Sequence, residues 1–152
     1  MLSKRLDNVA PSVTVGISSK VKEMRANGID VISLSIGEPD FNIPEKAKEY
    51  GKKSLDDNKT KYDFPAGLPE LRQEICKKLK RENHIDYTPD QIVLSSGAKN
   101  SITNVLLVTT DPGSEVLLPL PYWVSYSEMV KIVNAVPVEV KTSKENNFKL
   151  TK

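Results

Sequence analysis

The stretch Gln91-Ile-Val-Leu-Ser-Ser-Gly-Ala-Lys-Asn100 decides the fold class. Its first five residues carry the β-branched and aliphatic side chains of a strand. Gly97 and Ala98 are small, and beyond them Ile102, Val105, Leu106 and Val108 recur at helical spacing. A strand over 91–95 is therefore predicted to enter a helix through a tight turn. Toward the C-terminus, Asp111-Pro-Gly113 reads as a turn, Glu115–Leu118 as a strand, Ser125–Val133 as a helix and Val136–Val140 as a strand. The order βαβαβ predicts an α/β fold with a mostly parallel sheet and right-handed crossovers. Ligands in such sheets bind beyond the carboxyl ends of strands, so the loops after Ser95 and Leu118 are the ones to inspect.

Toward the N-terminus, Leu68, Leu71, Ile75 and Leu79 mark one face of a helix. Its other face holds Lys77, Lys78, Lys80 and Arg81. The interspersed Glu74 and Glu82 make that a solvated face rather than a contact to a phosphate backbone. Cys76 reads as a small core residue without an activating partner, and His84 as a surface residue. Tyr62–Gly67 forms a loop. Pro44 suits the first turn of a helix reaching Asp56, Val31–Ile36 reads as a strand, and Ser18–Asn27 as a helix stopped by Gly28.

Composition narrows the classes. With 152 residues, 38% hydrophobic and 28% charged, the chain fits one ordinary domain with a real core. A net charge of +2 with mixed signs argues against disorder and against a nucleic-acid partner. One cysteine and one histidine exclude a disulfide framework and a structural zinc site. The N-terminal residues carry no apolar signal region, and no apolar run approaches the ~20 residues of a membrane helix. The expectation is a cytoplasmic protein without a membrane partner.

The two loops suggest chemistry. At Ser95–Lys99, small residues admit a ligand close to the backbone, and the first N–H groups of the helix have no partner. With the helix dipole they make an anion site, most often for phosphate. Neither a dinucleotide fingerprint nor a P-loop is present, and a tight turn that binds nothing stays open as an alternative. The loop Leu118–Tyr126 holds the sole tryptophan, Trp123, stiffened by two prolines. It is either a platform for a flat aromatic ligand or a packing residue. Together, the two loops describe a site for a flat heteroaromatic phosphate ester.

Longer blocks carry a family resemblance. Ser35–Phe41, Lys59–Arg72, Ser96–Asn100, Asp111–Val116 and Pro121–Tyr126 resemble, in order, the class I aminotransferases of the aspartate aminotransferase group, which are fold-type I pyridoxal 5'-phosphate (PLP) enzymes. The resemblance implies that Gly97, Ala98 and Lys99 cradle the cofactor phosphate and that Trp123 stacks on the pyridine ring, facing the substrate as well. It implies that Gly37 presents backbone to the substrate carboxylate. Tyr62 would reach the phosphate of the neighbouring subunit in a homodimer, and Val9–Gly16 would form an arm over the site.

The resemblance also implies an incomplete PLP-dependent transferase fold. Residues 1–45 would be the N-terminal arm and a small-domain segment, and residues 46–152 the start of the large PLP-binding domain. No lysine here stands in the family's Schiff-base motif, so no catalytic residue is assigned and the chain alone is expected to be inactive. The implied reaction transfers an amino group between an amino acid, with aspartate as a candidate, and a 2-oxo acid. Two alternatives stay open. One is another fold-type I PLP enzyme, such as a β-lyase. The other is a non-catalytic fragment that associates with a C-terminal partner chain.

Overall fold

A computed structural model describes residues 3–151. It divides into two compact units, Met1–Gly37 with Ser96–Lys152, and Glu38–Ser95.

The first unit is organised around a strand–helix–strand. β1 (Glu115–Pro119) and β2 (Val136–Val140) pair in parallel, Glu115 opposite Val136 and Pro119 opposite Val140. Parallel neighbours need a crossover connection, and α5 (Ser125–Ile132) supplies it. Leu118, Met129, Val130, Val133 and Ala135 are buried, with Leu106 and Val116 packed against the Val130 cluster. Leu106 belongs to α4 (Ala98–Thr109). The turn into β1 is closed by the Gly113 N–H donating to the Asn134 carbonyl at 2.8 Å.

α1 (Val13–Ala26) begins earlier than the predicted Ser18. Ser12 is its cap: the Ser12 hydroxyl accepts from the Val15 N–H at 3.4 Å, satisfying a donor that the helix start leaves without an internal partner.

The second unit holds α2 (Glu45–Asp56) and α3 (Pro69–Asn83). Pro44 is the residue before α2 rather than part of its first turn. The Arg72 guanidinium donates to the Pro89 carbonyl at 3.0 Å, tying α3 to a 3-10 turn at Pro89–Gln91. The charged face of α3 is solvated as expected: Lys77 pairs with Glu74, Lys78 with Glu82 and Lys80 with Asp86, all exposed. Cys76 is a half-buried free thiol. His84 does have a structural part, ending α3 in a left-handed conformation at φ 58°.

Two predicted strands are corrected. Val31–Ile36 has no ladder among the described residues, and Ile32 and Leu34 are 89% and 95% exposed. Gln91 ends the 3-10 turn, and the residues after it form no strand. Only the last βαβ of the predicted series is therefore realised here. Strand propensity describes a residue's fit to a sheet that must already exist, and among the described residues these two segments have no neighbouring strand to meet.

Candidate functional site

α4 starts at a backbone position shaped for close approach. Gly97 precedes it with φ 85° and ψ 167° and offers no side-chain cap. A Cβ built there would meet nothing within 4 Å, so the space beside Gly97 at the helix start is open. A side-chain-bearing residue would be strained at this φ. The leading N–H groups of α4, at Ala98 and Lys99, have no partner within the helix. Ser96 donates its N–H to Asn100 Oδ1 at 3.4 Å, which turns the preceding residue back onto the helix. Open backbone donors at the positive end of a dipole favour an oxyanion.

The second element is the loop from β1 to α5. Three hydrogen bonds hold its first half to β2 and the residues following it. Leu120 N–H donates to the Val140 carbonyl at 2.9 Å, and the Thr142 hydroxyl donates to the Leu120 carbonyl. The Tyr122 hydroxyl donates to Glu139 Oε1 at 2.7 Å. That acceptor holds the Tyr122 phenol above its ordinary pKa range, assisted by partial desolvation. Trp123 follows, its side chain 52% exposed.

A hollow of about 430 Å³ opens between these elements. Lys99 and Thr103 line it from α4, Val124 and Glu128 from the start of α5, and Ala10 and Val13 from the N-terminal segment. Trp123 does not line this hollow, although the next residue does. Among the described residues, one polar contact ties the N-terminal segment to α5: Ala10 donates its N–H to Glu128 Oε2 at 2.7 Å. Glu128 also accepts from Lys131 Nζ at 2.8 Å. The Lys131 hydrogen bond, with a smaller contribution from the Ala10 N–H, holds the Glu128 carboxyl below the usual glutamate range despite partial burial.

The predicted site residues are thus distributed as follows. Gly97, Ala98 and Lys99 form the start of α4, and Trp123 and Gly37 belong to the same compact unit. Tyr62 belongs to the other unit and is fully exposed. Sequence reasoning missed Tyr122, Glu139 and Glu128. Their partners lie far along the chain, and no local motif marks either pair. Among the described residues there is no cluster of three or more metal-ligating side chains, and no helix long and apolar enough to cross a membrane.

Comparison with known proteins identifies the family of the chain. The family model for aminotransferase class I and II matches residues 29–152. An aspartate/prephenate aminotransferase of Cereibacter sphaeroides is 45% identical over 150 residues, covering 99% of this chain and 38% of the relative. A probable aspartate/prephenate aminotransferase of Thermus aquaticus is 44% identical over 147 residues, covering 97% of this chain and 38% of the relative. The structure of the Thermus thermophilus aspartate aminotransferase with maleate superposes with a TM-score of 0.94 at 42% identity, over 99% of this chain and 40% of that one. The chain thus spans less than half the length of these relatives, and its fold is a part of theirs. Enzymes of this family use pyridoxal phosphate. From residue 29 onward the sequence follows the family pattern, and the chain belongs to the class I and II aminotransferases.

Proposed function

We propose that this chain is the N-terminal part of a PLP-dependent aminotransferase that moves an amino group between an amino acid, with aspartate the candidate donor, and a 2-oxo acid. The observation that carries this reading is the start of α4, where Gly97 leaves backbone donors uncapped and the space beside it open. Those donors suit the cofactor's phosphate, with Lys99 adding positive charge. Trp123, half exposed at the end of β1, suits the flat ring. When bound, the cofactor supplies an electron-withdrawing ring. The contribution of these residues is to hold and orient it.

Within the same reading, Gly37 presents backbone to the substrate carboxylate, and Tyr62 reaches the phosphate site of the second subunit of a homodimer. Residues 1–45 serve as arm and small-domain segment, and residues 46–152 begin the large domain. Aspartate is supported by the names of the relatives and by maleate, a dicarboxylate, in the Thermus thermophilus structure. The free thiol of Cys76 suits a reducing, cytoplasmic setting. No lysine here stands in the Schiff-base motif, so the chain by itself should not transaminate aspartate with any 2-oxo acid.

The sole tryptophan makes the test direct. Pyridoxamine phosphate lacks the aldehyde that would react with surface lysines, and its ring should quench Trp123 emission on stacking. The expected result is saturable quenching that inorganic phosphate reverses. Gly97→Asp, which sets a carboxylate before the helix start, should weaken it by roughly tenfold or more. Absence of saturable quenching at millimolar ligand, or quenching indifferent to Gly97→Asp, would overturn the reading.

A further inference from the structure

We infer that Tyr122 is a positioning residue, which fixes the orientation of Trp123 by anchoring the preceding turn of chain to Glu139 on β2. The loop from β1 to α5 is short and carries its exposed tryptophan immediately after Tyr122. The backbone bonds of Leu120 secure the loop's beginning, and the Trp123 carbonyl accepts from the Tyr126 N–H at 2.9 Å at the helix start. Between these, the Tyr122 hydroxyl ties residues 121–123 to β2 through its 2.7 Å bond to Glu139, with Ser127 of α5 as a second hydrogen-bond partner.

The acceptor is well placed for this task. Glu139 lies in β2 opposite Leu118 of β1, so it is held by the ladder and by the buried Leu118 beside it. A hydrogen bond to a carboxylate is shorter and stronger than one between neutral groups. Tyr122 is half-buried while Trp123 is exposed, so the first ring is the anchor and the second the presented surface. A rigid two-torsion side chain that is oriented in advance loses less freedom when a ligand stacks on it. That this orientation serves the cofactor ring rests on the proposed function. The clamp itself does not.

Time-resolved fluorescence anisotropy of the full 152-residue chain reads the clamp, because Trp123 is its only tryptophan. Tyr122→Phe keeps the ring and removes the donor. Glu139→Ala removes the acceptor. Each should raise the amplitude of sub-nanosecond depolarisation about twofold once this hydrogen bond is lost. The double variant should show no further rise. Glu139→Gln, which retains an accepting oxygen, should stay close to the parent, and this rescue separates loss of the bond from general loosening of β2. Circular dichroism confirms that each variant compared is folded.

Unchanged depolarisation in folded Tyr122→Phe, or equal loosening in Glu139→Gln and Glu139→Ala, would overturn the inference. A parallel titration with pyridoxamine phosphate keeps the two readings apart. Greater Trp123 mobility with an affinity about fivefold weaker supports both the clamp and its use. Greater mobility with unchanged affinity upholds the clamp and removes Trp123 from the cofactor site.

Discussion

Val136–Val140 and Val31–Ile36 are built from the same kinds of residue, yet only the first is a strand. β2 has β1 as a parallel neighbour along its length, and α5 covers the pair with Met129 and Val130. Val31–Ile36 has one backbone carbonyl held, by the Arg25 guanidinium at 2.9 Å, and two aliphatic side chains almost wholly in solvent. The difference teaches that a β-rich segment becomes a strand through its neighbours rather than through its own composition.

The largest test of that contrast places a charge in each region. Val130 is 1% exposed, and Val130→Asp would bury a carboxylate with no partner. The expected cost exceeds about 4 kcal/mol, enough to unfold the first unit. Leu34→Asp, at a position 95% exposed, should change stability by no more than about 0.5 kcal/mol. Urea unfolding followed by circular dichroism measures both. If Leu34→Asp destabilised the chain as Val130→Asp does, Val31–Ile36 would be paired in solution and the contrast would collapse.

An intermediate case sits at Leu94, whose N–H donates to the Ala66 carbonyl at 3.0 Å. One rung joins these segments where β1 and β2 have a ladder. The rung depends on Gly67, which has φ 96° and lies against the Leu94 side chain, where an added Cβ would collide. Gly67→Ala should cost about 2 kcal/mol, combining backbone strain with the clash. Adding Leu94→Gly removes the whole clash, the Leu94 Cβ included, but not the strain, so the Gly67 substitution in that background should cost only about 1 kcal/mol. A double-mutant cycle in urea reads the difference. Equal costs in the two backgrounds would show that the single rung does not hold the segments in register.

What the sequence made legible follows the same division. α3, α4 and α5 were readable because apolar spacing is a local property of consecutive turns, and Leu71, Ile75 and Leu79 display it without reference to anything distant. β1 and β2 were readable because the helix between them makes their pairing nearly local. Val31–Ile36 was misread because pairing is absent from a segment's own composition. The start of α1 was missed because Val9–Gly16 read as an arm and not as the beginning of a helix, although the Ser12 hydroxyl is the cap.

At the candidate site, Gly97 and Ala98 announced an open helix start by their small size. The tethers behind it, Tyr122 to Glu139 and Ala10 to Glu128, join residues 17 and 118 positions apart and leave no periodic trace.

The Ala10–Glu128 bond offers the finest version of the comparison, since it holds the short stretch before α1, which has neither ladder nor helix. Glu128→Ala removes the acceptor and should expose the Ala10 amide to exchange roughly fivefold faster, the scale of one net hydrogen bond. Glu128→Gln keeps an acceptor and should exchange at a rate between the two. The bond also has a pH signature. Lys131 first, and the Ala10 N–H with it, hold the folded Glu128 carboxyl below the usual glutamate range, so folding favours the carboxylate. Stability from this group is therefore complete above the usual range and is lost as pH falls through the depressed folded value. The Ala10 amide resonance, followed by NMR, should move on acidification with a midpoint below that of an unperturbed glutamate. A midpoint at the ordinary value, or a resonance indifferent to Glu128→Ala, would mean that apolar packing against α5 holds the segment and that the single polar tether contributes nothing.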